Sequence, residues 1–172
     1  MCWRRLRTAV GALLLAVVAS TAFSQATPLP ARSSPAADSV PLDFLVVLKR
    51  GACLGHCPNY EVAVGADGIV TWDGYGDVRR MGRRIARVKP KTIAKLAAAA
   101  VRVQRLGVQD SYGFIIGPDG QRLASIVDAS ASWVTIRANG RINAIEIVAD
   151  APRALIEFEE LVDRLAGTSR WK

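Results

Sequence analysis

Apolar and polar residues alternate along the first half of the chain in the pattern that is typical of β-strands. Residues 42–48 form an apolar run that predicts a first strand, and every second residue from Tyr60 to Val64 is apolar or aromatic. Residues 66–68 are Ala-Asp-Gly, a turn signal, so we expect the return strand of a hairpin over residues 69–72. A further extended stretch, interrupted by a glycine, is predicted over residues 78–88.

The second half of the chain begins with its clearest helical pattern. Pro90 suits the first turn of a helix, and Gly107 suits a position just past its end. Between them one apolar stripe recurs at helical spacing, formed by Ile93, Leu96, Ala97, Ala100, Val101 and Val103. The sequence therefore predicts a helix from Pro90 to about Leu106. Residues 108–131 contain a loop signal and indicate no clear element.

A second hairpin and a second helix complete the pattern. Residues 133–137 and 141–148 are predicted strands around Asn139-Gly140, a dipeptide that favours a tight turn with two positive φ angles. A last helix is predicted after Asp150, whose side chain suits a capping position. The predicted buried residues of this helix are Leu155, Phe158, Leu161, Val162 and Leu165, and its predicted end is Gly167.

The order of these elements is strands, helix, strands, helix, and hairpins dominate it. That order predicts an α+β fold, with an antiparallel sheet of hairpins and two helices packed on one face. Trp171 lies just beyond the last helix, and we expect it to fold back onto the core as a terminal anchor.

The N-terminal residues differ in composition from the predicted domain. Residues 1–26 combine a basic start, a short apolar run and a small-residue site ending at Ala26, which is typical of a cleaved secretory signal peptide. The apolar run is short for a membrane span, so no transmembrane span is expected after processing. Residues 27–41 predict a flexible Pro/Ala/Ser-rich linker, and residues 42–172 predict a single domain. We therefore expect an exported protein, either periplasmic or secreted.

Basic residues dominate the charge of the chain. Its net charge is +8, and removal of the signal peptide with its three arginines leaves +5. A basic exported protein suits an anionic envelope component as partner, whereas nucleic acid is not expected outside the cytoplasm. On a strand, Arg79, Arg83 and Arg87 would share one face. This pattern predicts either a charged sheet edge that resists aggregation or an anion-binding strip.

Cys53 and Cys57 are the cysteines that remain after removal of the signal peptide, and they flank a predicted turn. Gly55 makes a chain reversal inexpensive, and Pro58 favours an extended entry into the next strand. Three interpretations stay open: a structural disulfide, a redox-active pair, or a metal site formed by Cys53, His56 and Cys57. The disulfide is preferred, because the usual redox spacing is two residues at a helix start and the chain has a single histidine.

The chain lacks the sequence motifs of the common enzyme classes. It contains no GxSxG, P-loop, HExxH or dinucleotide-binding glycine pattern. Asp73 and Asp77 are interpreted as turn residues, and the glutamates at 157–160 as a solvated helix face. No catalytic residue and no cofactor are assigned, so an enzyme is the less favoured interpretation.

The cysteine turn and the glycines that follow it resemble an exported, mostly bacterial family known only as domain of unknown function 6438. The residues that support this resemblance are Cys53, Gly55, Cys57, Pro58, Tyr60, Asp67, Gly68, Gly74 and Gly82. The closing residues 166–171 also look like the end of the family, so the resemblance covers residues 42–172. Between Tyr112 and Ser132 the chain departs from the family pattern. The resemblance implies an exported α+β domain with no assigned activity.

The preferred hypothesis is a non-enzymatic binding or structural module of the cell envelope with a disulfide-stapled turn. The alternative is a thiol redox or copper-handling protein that uses the turn between Cys53 and Cys57.

Overall fold

The structure is a computed structural model that describes residues 40–125 and 130–172. The predicted signal peptide and all but the last two residues of the predicted linker lie outside the described residues. Within those ranges, no helix is long and apolar enough to cross a membrane.

The described chain forms a seven-stranded main sheet, a separate two-stranded hairpin and two α-helices. The strands are β1 (Leu45–Arg50), β2 (Asn59–Gly65), β3 (Ile69–Gly76), β4 (Gly82–Arg87), β5 (Ser111–Tyr112), β6 (Phe114–Ile116), β7 (Arg122–Ser125), β8 (Ser132–Ala138) and β9 (Arg141–Ile147). The helices are α1 (Pro90–Arg105) and α2 (Arg153–Ala166), and a 3-10 turn over Thr168–Arg170 follows α2. The main sheet has the order β4-β3-β2-β1-β8-β9-β5, and β6 pairs with β7.

The predicted α+β class is confirmed, but the prediction of a purely antiparallel sheet is wrong. β5 pairs in parallel with β9, with Ser111 opposite Glu146 and Tyr112 opposite Ile147. The other pairs of the main sheet are antiparallel. β5 reaches the sheet after α1 rather than through a hairpin turn with its partner, and only such a non-local connection permits a parallel pair.

One face of the main sheet is buried and the other is open. The alternation predicted for Tyr60, Val62 and Val64 is present, and each of these side chains is buried. Buried residues from β1, β2, β3, β8 and β9 form one core cluster with the apolar sides of α1 and α2. Both helices therefore pack on the same face, because strand residues on that face are buried while their neighbours are not.

The two hairpin turns lie where the sequence predicts them. Asn139 and Gly140 have φ angles of 53° and 73°, as a primed two-residue turn requires. The Asp43 carboxylate accepts hydrogen bonds from the amides of both residues, at 2.9 and 2.8 Å. This carboxylate therefore ties the start of β1 to the turn between β8 and β9.

The start of α2 differs from the expectation. Asp150 does not cap the helix; Pro152 occupies the N-cap position, and Asp150 is exposed with a φ angle of 56°. The predicted end is correct, since Gly167 takes the left-handed conformation just past the helix. Beyond it, Trp171 folds back as expected and is only 8% exposed, with its ring 5.4 Å from that of Trp72.

We expect Trp171→Ala to lower the free energy of unfolding by about 3 kcal/mol, because it removes a large aromatic side chain from the core. Urea denaturation followed by fluorescence measures the change. Trp133 is the matched control: it is 36% exposed on the open face, and Trp133→Ala should cost less than about 1 kcal/mol. Equal losses in the two variants would show that Trp171 is not an anchor.

Candidate functional site at the arginine-rich edge

The turn between β1 and β2 is closed by a disulfide between Cys53 and Cys57, with 5.6 Å between their Cα atoms. The preferred interpretation of this cysteine pair, a disulfide bond, is therefore confirmed. The ring spans a sequence separation of four residues, so the bond fixes a local turn and joins no distant elements.

His56 lies at the tip of this turn with its side chain 98% exposed. Its Nδ1 atom is 3.3 Å from an Oδ1 atom of Asp77. Within the described ranges, no group of three His, Cys, Asp or Glu side chains is placed to hold a metal ion. A soft metal would need free thiolates from Cys53 and Cys57, and the disulfide occupies both sulfur atoms.

The predicted arginine strip divides into two parts in the structure. Arg83 and Arg87 lie on β4 and share the open face of the sheet with Ile85, as the alternation predicts. Arg79 lies in the bend before β4, because Gly82 has a φ angle of 68° and interrupts the extended chain. We use the name arginine edge for the five exposed arginines of β4 and this bend: Arg79, Arg80, Arg83, Arg84 and Arg87.

Little negative charge faces the arginine edge. Arg83, whose side chain is 73% exposed, has its Nε atom 3.7 Å from an Asp73 carboxylate oxygen. Among the described residues, the other four arginines have no carboxylate within salt-bridge distance. Arg87 instead donates to the carbonyl oxygen of Asp67 at 2.8 Å, and Arg84 donates to the carbonyl oxygen of Arg83 at 2.6 Å. The edge is therefore a row of exposed, poorly compensated positive charges.

The bend that carries Arg79 and Arg80 is fixed by its backbone. The Arg80 amide donates to the carbonyl oxygen of Trp171 at 2.9 Å, and the Arg80 carbonyl accepts from Trp72 Nε1 at 3.1 Å. The chain also approaches β3 closely, since a Cβ atom at Gly74 would clash with that carbonyl oxygen. Two arginines of the edge thus lie on a bend that is hydrogen-bonded to Trp72 and to the last residues of the chain.

A partly buried ionic cluster lies between α2 and the adjoining ends of β1, β2 and β8. Arg50 pairs with Glu159 at 2.8 Å and with Asp163 at 3.2 Å. Glu159 is 3% exposed and also accepts a hydrogen bond from Ser132 at 2.6 Å. The interpretation of residues 157–160 as a solvated helix face is therefore wrong for Glu159, which points inward to meet Arg50.

Asp163 completes this cluster. One of its carboxylate oxygens accepts from Tyr60 at 2.5 Å and from Thr168 at 3.0 Å. The other lies 3.2 Å from Arg50 and 3.0 Å from Lys172. With the bonds to Glu159, every carboxylate oxygen of the cluster has a partner, and two positive charges balance two negative ones. The cluster is therefore suited to a structural role, since its carboxylate oxygens all have hydrogen-bond or ion-pair partners.

These contacts shift the pKa values of Asp163 and Tyr60 in opposite directions. Burial acts to raise the pKa of Asp163, but hydrogen bonds from Tyr60 and Lys172 and the charges of Lys172 and Arg50 outweigh it. The pKa of Asp163 therefore falls below its usual 3.8. Burial, followed by the negative charge of Asp163, raises the pKa of Tyr60, which keeps the phenol protonated as a donor.

The sequence contains only a weak signal for this cluster. Glu159 and Asp163 are four residues apart and so lie on one side of a helix, and Arg50 ends an apolar strand. Nothing in the linear pattern shows that these two elements meet, because their pairing joins residues more than a hundred positions apart.

Comparison with known proteins adds a family but no activity. The family model described as Domain of unknown function (DUF6438) matches residues 44–166 of the 172-residue chain. The resemblance drawn from the cysteine turn and its glycines is thereby confirmed. A search of curated proteins found no match.

The disulfide should contribute modestly to stability. The double variant Cys53→Ser, Cys57→Ser should lower the free energy of unfolding by about 2 kcal/mol, because the bond closes a loop of only about five residues. Urea denaturation of the oxidised protein and of the variant measures this difference. The wild-type protein unfolded under reducing conditions is the control, and it should match the variant. A loss above about 4 kcal/mol would contradict a purely local role.

The stability that Asp163 provides should decrease as the pH falls. Its pKa is lower in the folded protein than in the unfolded chain, so its contribution is fully present above about pH 3.8 and is lost as the pH falls through the folded pKa. We expect Asp163→Asn to cost about 2 kcal/mol at pH 7, since it weakens hydrogen bonds between charged groups.

Urea denaturation from pH 7 down to about pH 2 tests this prediction, with the wild type compared with Asp163→Asn at each pH. The difference between the two proteins should shrink below about pH 3.8. Glu160→Gln on the exposed side of α2 is the control and should show little difference at any pH. A difference for Asp163→Asn that stays constant across the range would show that the carboxylate charge does not stabilise the fold.

Proposed function

We propose that this chain, which belongs to the DUF6438 family, is an exported, non-enzymatic module that binds an anionic component of the cell envelope at the arginine edge. The observation that supports this proposal is a row of five exposed arginines, four of which have no carboxylate partner among the described residues.

The electrostatics of the edge favour an anionic ligand. Like charges on one strand and its adjoining bend repel one another, and an anion that lies between them relieves that repulsion. Guanidinium groups remain charged at any physiological pH and bind carboxylates or phosphates through paired hydrogen bonds. Arg83 and Arg87 face the same side, with only Ile85 between them in the alternation, so one extended anion could contact both.

The disulfide and the predicted signal peptide support export. A disulfide persists in an oxidising compartment and is uncommon in the cytosol of most organisms. Residues 1–26 have the composition of a secretory signal peptide. Together they favour a periplasmic or secreted location, where acidic polymers and anionic lipid surfaces are available as ligands.

The distribution of reactive groups supports binding rather than catalysis. The carboxylates of Glu159 and Asp163 have hydrogen-bond partners at every oxygen, and the arginine edge presents guanidinium groups, which donate hydrogen bonds but accept none. The alternative, a redox or copper-handling function at Cys53 and Cys57, would require the disulfide to open readily under weak reductant.

We expect the triple variant Arg79→Gln, Arg83→Gln, Arg87→Gln to bind anionic probes about tenfold more weakly at low salt. Three exposed ion contacts at about 0.5 kcal/mol each give a loss of that size. The probes are labelled polyglutamate and vesicles that contain phosphatidylglycerol, and fluorescence anisotropy and vesicle co-sedimentation measure binding.

The matched control removes three positive charges from α1 with Lys95→Gln, Arg102→Gln and Arg105→Gln, all at exposed positions. Both variants have the same net charge, so a position-specific site predicts that only the edge variant loses affinity. Wild-type binding should also weaken steeply as salt rises. Equal losses of affinity in the two triple variants would show that binding depends only on net charge, and would contradict the proposed site.

A further inference from the structure

We infer that the partner at the arginine edge is an acidic, extended polypeptide segment that joins the main sheet as an additional strand beside β4. This inference rests on the proposed function and identifies the class of its ligand. It depends on the backbone of β4 as well as on its side chains.

The outer side of β4 is open for strand pairing. β4 is the first strand in the order of the main sheet, and no strand of the described chain lies beyond it. The amide of Val88 donates to the carbonyl oxygen of Gly68 at 2.9 Å. The backbone groups of Val88 therefore point towards the strand that precedes β4 in the hairpin. Since hydrogen-bonded pairs alternate along an antiparallel ladder, Arg84 and Ala86 bond towards β3.

The intervening residues, Arg83, Ile85 and Arg87, therefore direct their N–H and C=O groups away from β3. One of these groups is covered, because the Arg83 carbonyl oxygen accepts a hydrogen bond from the Arg84 guanidinium at 2.6 Å. An incoming strand would replace this bond, and its carboxylate would then receive the guanidinium. The edge thus offers a short row of backbone donors and acceptors framed by positive charge.

A second copy of this chain does not suit the edge. If two β4 strands paired in antiparallel about Ile85, Arg83 of one copy would lie directly opposite Arg87 of the other. Like charges in that position destabilise a strand pair. The same arginines that oppose self-pairing favour a strand with carboxylates opposite them.

The side chains of β4 indicate the sequence pattern of the partner. Arg83, Arg84 and Arg87 call for acidic residues opposite them. Ile85, which is exposed on the open face, calls for an apolar residue. An antiparallel partner strand, read from the residue opposite Arg87 to the residue opposite Arg83, therefore has the order acidic, small, apolar, acidic, acidic. A lipid headgroup or an anionic polysaccharide could contact the arginines but has no peptide backbone to pair with β4.

The peptide acetyl-Thr-Glu-Thr-Val-Glu-Glu-Thr-amide tests this geometry. Its valine would lie opposite Ile85 with its N–H directed at β4, whereas the N–H of the preceding threonine would point away. N-methylation of the valine should weaken binding at least tenfold, and N-methylation of that threonine should change it less than threefold. NMR titration of the labelled protein measures both affinities, and amide exchange should slow at Ile85 and Arg87.

Variants of the protein test the same contact from the other side. Ile85→Pro removes an outward N–H without removing a hydrogen bond to β3, and Ile85→Thr keeps that N–H as the matched control. The proline variant should bind the peptide at least tenfold more weakly than the threonine variant. If the proline variant fails to fold, the pair of N-methylated peptides on the wild-type protein decides the question.

The outcomes separate this inference from the proposed function. Equal affinities of the two N-methylated peptides would overturn strand addition. Arginine-dependent binding of phosphatidylglycerol vesicles, with no binding of the peptide, would also overturn it and leave the proposed function standing. Failure of the peptide, polyglutamate and the vesicles alike would overturn both.

Discussion

The carboxylate of Asp163 joins four parts of the structure, and much of the arrangement around the arginine edge depends on it. It accepts hydrogen bonds from Tyr60 on β2 and Thr168 beyond α2, and it pairs with Arg50 on β1 and with Lys172. Removal of one charge from this cluster would be costly, because a partly buried charge without a partner loses hydration and gains no compensating interaction. The cluster therefore favours one position of α2 and of the residues after it.

Aromatic side chains connect this ionic cluster to the arginine edge at the surface. Tyr60 stacks on Trp72 with 4.4 Å between ring centroids, and Trp72 packs in turn against Trp171. The backbone carbonyl of Trp171 and the indole of Trp72 then hold the bend at Arg80. The ionic cluster and the bend at Arg80 are thus connected through a series of contacts that includes the aromatic core.

The sequence predicts the parts of this structure that depend on local pattern. The alternation from Tyr60 to Val64, the Asn139-Gly140 turn and the helix that starts at Pro90 are set by neighbours in the chain, and each forms where it is expected. The parallel pair of β5 with β9 and the burial of Glu159 were missed because they depend on distant partners. The alternation predicts one arginine face, but the positive φ angle of Gly82 places Arg79 outside the strand.

The two interpretations of the arginines, protection of an edge and recognition of a partner, describe the same physical effect. An exposed edge strand pairs with any extended chain unless something discriminates among partners. Arg83 and Arg87 raise the cost of pairing with a basic strand, and with a second β4 in particular, while they lower it for an acidic one. A device that prevents self-association thereby becomes selective, because both outcomes depend only on the sign of the charge that the incoming strand carries.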